Sequence, residues 1–295
     1  MIIINVTGGL GNQLQQYALY EKYKSLGIEA KLDTSWYDVS HAVAEHRELE
    51  LAYFPNITYD ACTMEERKAL LCNQNIIKKV IGKVIPGQKK FYPEQVMYNP
   101  EIFTWDTMYL EGYWACEAYY GDIMETIREK LTFPHSGNPK NIEVAKKMED
   151  EQSVSIHIRR GDYLRPENAM FSGISTDEYY ESAISLIKES MENPIFYIFS
   201  DDPAYVRAQY QGEEYRVVDW NSGKDSFFDM YLMSKCKHNI CANSTFSFWG
   251  ARLNNNPDKK MIRPLKQKNT AVYEPETMHK LWKNWILIDE FGTIV

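Results

Sequence analysis

The chain has 295 residues, 44% of them hydrophobic and 25% charged, with a net charge of −8 and a pI near 5.4. That is an ordinary globular composition, long enough for two domains of roughly 130–150 residues. The acidic balance excludes nucleic acid as the main partner, because phosphate backbones demand clustered Lys and Arg, but it leaves room for one local basic pocket that takes a small anion.

Residues 2–6 read as a buried strand that the glycines at 8, 9 and 11 break. Asn12 is placed to cap a helix running to Leu26, where Gly27 ends it, and residues 28–33 read as the next strand. Strand, glycine turn, helix and strand in that order open a parallel α/β domain. The middle, from about 35 to 110, is irregular and punctuated by Pro55, Pro86, Pro93 and Pro100. Lys78, Lys79, Lys83, Lys89 and Lys90 suggest a solvated segment there, and residues 119–131 are expected to be helical. Residues 133–139 (FPHSGNP) form the best linker on composition. The α/β rhythm then resumes with a strand at 154–158, a helix at 176–191 and a strand at 195–200. A strand at 215–218, a helix at 226–235, and strands at 238–242 and 261–263 follow. Two domains are expected, at 1–135 and 140–270, with 271–295 packing back on them and a ligand cleft between them.

Five cysteines, at 62, 72, 116, 236 and 241, have no framework spacing, which fits reduced thiols packed as small hydrophobes. The first residues are too short for a signal peptide, and no run nears the ~20 apolar residues of a membrane span. The expected compartment is the cytoplasm, compatible with loose peripheral contact at the inner membrane. Six histidines lack metal-like spacing and no Asp-x-Asp occurs, so no metal is expected.

Three turns carry chemistry. In residues 155–163 (SIHIRRGDY), strand alternation puts Ile156 and Ile158 on one face, with His157 and Arg159 on the other. At the carboxyl end of a strand that second face looks into the ligand crevice of an open sheet. A guanidinium there suits a diphosphate, since its planar fork donates two parallel hydrogen bonds and stays charged. Arg160 points elsewhere, toward Asp162 or a neighbouring carboxylate. In residues 7–13 (TGGLGNQ), Gly9 and Gly11 allow close backbone approach, and helix amides from Asn12 onward favour an anion or a sugar oxygen. In residues 241–251 (CANSTFSFWGA), Asn243, Ser244, Thr245 and Ser247 crowd a helix start with more hydroxyls than a cap needs. Asp201 and Asp202, ending another strand, are carboxylates able to accept from the N1–H and amino group of guanine.

Together these segments resemble the α-1,2-fucosyltransferases of glycosyltransferase family 11, which carry a GGLGNQ turn, HxRRGDY and NSTFSxWGA. Residues 110–120 (LEGYWACEAYY) resemble a fourth family segment, although Tyr113, Trp114 and Tyr119 read mainly as core. Two departures, Leu14-Gln15 and Phe248-Trp249, look like packing changes. The resemblance implies a GT-B-like α/β fold, two Rossmann-like domains facing across a cleft. It also implies inverting, metal-independent transfer from GDP-fucose, a co-substrate, to the 2-hydroxyl of a galactose-terminated acceptor, with no cofactor. It puts Arg159 on the β-phosphate, His157 on the nucleotide, Asp201 or Asp202 near guanine, and Ser244, Thr245 and Phe246 around the pyrophosphate. For a base, Asp162 and Glu167 lie nearest the basic turn, and Asp162 reads better as orienting the arginines. Rival readings are a fucosyltransferase of another linkage, α-1,3 or α-1,6, and a GDP-sugar-binding protein without turnover. Acceptor identity and oligomeric state stay open.

Overall fold

The computed structural model describes residues 1–38, 47–71 and 90–295. Lys78, Lys79, Lys83, Lys89 and Cys72 lie outside the described residues. The chain divides into two compact units, Met1–Pro134 and His135–Val295.

Among the described residues of the first unit, four parallel strands are ordered β2-β1-β4-β3: β1 (Ile2–Asn5), β2 (Ala30–Asp33), β3 (Phe91–Pro93) and β4 (Met108–Glu111). The chain leaves β1 toward β2 on one side, while β4 pairs on its other side, so the turn after β1 is this sheet's switch point. Two of these strands fall in the stretch read as irregular. They are three and four residues long, and β3 ends on a proline, so no periodicity announces them.

Helix α1 (Leu10–Ser25) starts two residues before the expected cap. Gly8 turns the chain at φ +83°, a conformation that favours glycine, and extended Gly9 is the N-cap. Leu10 and Leu14, one turn apart on the same face, are both buried and draw the helix start back to Leu10. Asn12 therefore sits inside the first turn, donating its N–H to the Gly9 carbonyl at 2.9 Å, and Gly11 is a buried helical residue rather than part of the turn. The helix expected at 119–131 is shorter: 3₁₀ turns at Glu117–Tyr119 and Gly121–Ile123 precede α3 (Met124–Lys130), α2 being Met64–Leu71. Trp114 and Tyr119 are core, but Tyr113 is 53% exposed. Trp114 takes φ +54°, and the Glu94 carboxylate accepts the N–H groups of both Tyr113 and Trp114, which turns the two side chains apart. Leu14 is a packing residue, whereas the fully buried Gln15 amide has no hydrogen-bond partner among the described residues, so that departure is more than a packing change.

The second unit holds six parallel strands in the order β10-β9-β8-β5-β6-β7. They are β5 (Ser153–Ile158), β6 (Ile195–Ser200), β7 (Tyr215–Val218), β8 (His238–Ile240), β9 (Met261–Pro264) and β10 (Trp285–Ile288). Read from β5, this is the dinucleotide-fold order 3-2-1-4-5-6, whose switch point lies between β5 and β8. β10 makes the C-terminal segment part of this sheet.

Every residue of β5 is buried because helices cover both faces. On one face Val154, Ile156 and Ile158 meet α5 (Asp177–Ser190), whose Tyr180, Ala183, Ile184 and Ile187 follow the helical i, i+3, i+4, i+7 spacing. Burying each such aliphatic side chain stabilises by about 1.5–3 kcal/mol. Thr176 caps α5 by accepting the Tyr179 N–H at 3.2 Å. On the other face α4 (Pro139–Asp150) and α7 (Phe227–Lys235) supply Met148, Leu232 and Met233 against Tyr197, Phe199 and Val218. Helices α6 (Pro203–Gln209), α8 (Thr245–Leu253) and α9 (Pro275–Leu281) complete the unit. Cys62, Cys116, Cys236 and Cys241 are free thiols, and among the described residues no helix is long and apolar enough to cross a membrane.

Candidate functional site

The second unit's switch point collects that unit's motif residues because Arg159 follows the end of β5 and the chain after β8 runs through Asn243 into α8. Arg159 is held flat by Asp162. Nε and Nη2 donate to the two carboxylate oxygens at 2.7 Å each, and Asp201 lies 3.2 Å from Nε. Burial alone would lower the Arg159 pKa, but the Asp162 hydrogen bonds and the Asp201 charge hold it above its ordinary value. Asp162 takes one edge of the fork, so Nη1 and the second Nη2 hydrogen project from the opposite edge as a preset pair of donors. Arg160 departs from that direction. Its side chain pairs with Asp202 at 3.5 Å and stacks on Tyr205 at 3.6 Å, while its backbone N–H donates to Asp201. Gly161 leaves room for the Asp201 carboxylate, since a Cβ would stand 2.9 Å from Asp201 Oδ2 and displace it. A cavity of about 300 Å³ opens beside both arginines, lined also by Ser175, Thr176, Tyr205 and Tyr210.

His157 is buried on the face opposite Ile156 and Ile158, its ring 5.9 Å from that of Phe246. Burial, then the nearby Arg159 charge, bring its pKa down to about 3, so the imidazole is neutral at pH 7, and Nδ1 has no hydrogen-bond partner among the described residues. Ser244 is the N-cap of α8 but makes no side-chain cap bond; it bonds instead with the Tyr163 phenol. Thr245 opens the helix. Ser247, counted among the crowded hydroxyls, turns inward to its own helix, donating to the Ser244 carbonyl at 3.1 Å. Asn243 is a structural tie: its Nδ2 donates to the carbonyls of Phe171 and Gln267, and its Oδ1 accepts from Ser175. Asp202 caps α6 through the Tyr205 N–H, so both carboxylates proposed for guanine are already engaged within the protein. Glu167 is exposed on the 3₁₀ segment Pro166–Phe171.

A sequence profile described as Glycosyl transferase family 11 matches residues 94–289. The chain belongs to glycosyl transferase family 11. It is therefore a glycosyltransferase. Among its relatives, the Escherichia coli O-antigen biosynthesis glycosyltransferase WbnK is 31% identical, over 88% of this chain and 93% of that one. An Escherichia coli alpha-1,2-colitosyltransferase is also 31% identical, over 86% and 88%. The Bos taurus galactoside 2-alpha-L-fucosyltransferase SEC1 is 33% identical over a shorter stretch, 34% of this chain and 28% of that one. Among solved structures, a mutant of Arabidopsis thaliana FUT1 in complex with GDP superposes with a TM-score of 0.48 at 11% identity, over 90% and 71% of the chains.

For this family 11 member the structure adds residues that no motif marks. At the carboxyl end of β7, Trp220, Asn221 and α7's Asp229 form a polar nest with Ser136 and Asn141 of the same unit. Asn141 joins Ser136, Asn221 and the Trp220 indole, and Asn221 Nδ2 donates to Asp229 Oδ1 at 2.8 Å. Burial pushes the Asp229 carboxyl up to about 7, with the Asp219 charge adding to the shift. Trp220 and Phe246 pack on one hydrophobic cluster, so the nest shares a sheet face with the Phe246–His157 contact. In the first unit, the glycine turn meets Arg47, whose Nη1 would lie 2.5 Å from a Cβ on Gly9. Glu50 there accepts the Leu10 N–H, and burial raises its pKa. An Asp in an apolar helix and an Arg–Glu pair in a stretch without periodicity leave no sequence signal.

Proposed function

We propose that this enzyme transfers L-fucose from GDP-fucose, with inversion, to the 2-hydroxyl of a terminal β-galactoside. The observation that carries this reading is the Arg159 fork, preset by Asp162 and Asp201 at the switch point between β5 and β8. The diphosphate lies on the open edge of Arg159 and on the Ser244–Thr245 helix start, and His157 and Phe246 flank the nucleotide. Guanine is read by Asp229 and Asn221 beside the Trp220 ring, a role that passes to them from Asp201 and Asp202. As the bond to the anomeric carbon breaks, negative charge grows on the GDP oxygen, and a fixed guanidinium stabilises it without reorganising. Asp162 has both oxygens on Arg159, so it acts as a positioning residue and not as the proton acceptor.

Incubation with GDP-fucose and lactose, followed by NMR of the product, should give an α-1,2 linkage; an α-1,3 or α-1,6 product, or GDP binding without transfer, would reject the reading. The guanidinium supplies the charge a metal would otherwise bring, so activity in excess EDTA should match the untreated rate. Loss that a divalent ion restores would reject metal independence. A second donor is favoured by the likeness to the alpha-1,2-colitosyltransferase. Colitose is fucose without the 3-hydroxyl, and turnover of GDP-colitose at least tenfold above that of GDP-fucose would assign it instead.

Gly161→Ala should weaken GDP binding about tenfold, roughly the worth of one charge-assisted hydrogen bond, because the new methyl drives Asp201 off Arg159. Calorimetric titration with GDP measures this, and unchanged affinity would remove Asp201 from the anchoring of Arg159.

A further inference from the structure

Arg263, on β9, is fully buried in the second unit. Its guanidinium lies over two rings, 4.3 Å from the centre of Phe248 and 4.8 Å from that of Trp282. Nε donates to the Pro264 carbonyl at 3.1 Å, but Nη1 and Nη2 have no hydrogen-bond partner among the described residues. A second buried guanidinium, Arg252, rests over Trp249 and Trp285. The groups acting most strongly on the Arg263 charge are Arg252, Tyr273, Cys241 and Tyr179, none of them a carboxylate. Burial first and Arg252 second bring Arg263 down to about 10, which leaves it a cation at neutral pH.

Ring faces stabilise a cation, yet they offer nothing to the four N–H bonds that lie in the guanidinium plane. Buried donors without acceptors, on a charge without a counter-charge, are among the most destabilising features a core can hold. We propose that Arg263 is the centre of a buried anion site that takes a small monovalent ion of the halide class. A spherical ion accepts from both Nη groups in their plane. A tetrahedral oxyanion would need further donors, and the rings packed on the guanidinium supply none. A water would satisfy the donors but leave the Arg263 charge uncompensated. By holding Arg263 in place the ion would steady the contact of β9 with α8, since Phe248 belongs to the helix that presents Ser244 and Thr245.

The test compares thermal unfolding of the full chain in potassium chloride and potassium gluconate at equal ionic strength. Chloride at several times its dissociation constant should raise Tm by about 2–4 °C, and Arg263→Met, which keeps apolar volume against the rings, should abolish the difference. Because that variant can fail to fold, crystals of the unaltered protein soaked in bromide give a second reading, an anomalous peak in the Arg263 plane. Equal Tm values in the two salts without a bromide peak overturn the proposal, as does a chloride effect that persists in Arg263→Met. A bromide peak with no chloride effect on Tm marks an adventitious ion only and also overturns it.

Discussion

Arg159→Ala should lower turnover of GDP-fucose by about 100-fold or more, the loss found when a preset donor to a developing oxyanion is removed. The expected size follows from how the side chain is held. Asp162 fixes Nε and Nη2 at 2.7 Å each, so the outward edge is aimed before substrate arrives and no ordering is needed in the transition state. Arg159→Lys should recover less than about a tenth of the activity, because an ammonium keeps the charge but cannot bridge two oxygens in one plane while also bonding Asp162. Asp162→Asn separates position from charge: it should lower kcat with a smaller change in KM, since the guanidinium remains but its aim is lost. Steady-state kinetics on the three variants decides. Near-full activity in Arg159→Lys would reduce the site to simple charge attraction.

How much of this was legible in the sequence depends on which force leaves a pattern. A buried parallel strand is a nearly continuous apolar run, so 195–200 could be bounded to the residue, and the β-branched and aromatic residues of 215–218 marked the half-buried edge strand beside it. The alternation in β5 correctly separated Ile156 and Ile158 from His157, because a strand offers only two faces. Strands β3 and β4 are too short to show a period; β4 takes its register from β1 across a long stretch of chain, and β3 takes its own from β4. Asn243 shows the opposite failure. A polar residue before a crowded hydroxyl turn reads as a ligand, yet its amide is consumed in tying three loops together. Asn12 was displaced from its cap by burial of Leu10, a tertiary effect that overrides capping preference. The departure at Phe248, read as a packing change, instead puts an aromatic face against a buried arginine.

Asp229 makes the other large prediction: with guanine on its carboxylate, as proposed, its protonation would link nucleotide choice to pH. Guanine presents two donors on one edge, N1–H and the exocyclic amine, and only an ionised carboxylate accepts both. Burial holds the unliganded carboxyl near 7, so on that reading GDP would have to expel a proton to bind below that pH. Affinity should therefore rise by up to tenfold per pH unit as pH climbs toward 7 and level off above it, making GDP about 100-fold weaker at pH 5 than at pH 8. Stability of the unliganded chain runs the other way. A carboxyl whose folded pKa lies above its unfolded value contributes fully at pH below about 4, and that contribution is lost as pH rises through 7. ADP offers an acceptor where guanine has N1–H, so its weaker binding should not follow this curve. Asp229→Asn should flatten the GDP profile and cost on the order of 100-fold in affinity at pH 8, since an amide cannot accept from both donors. Titrations of GDP and ADP between pH 5 and 8, in buffers of different ionisation enthalpy, count the proton directly. Parallel GDP curves for the parent and Asp229→Asn, or equal losses for GDP and ADP, would return the guanine contact to another residue and leave Asp229 a buried acid held by Asn221.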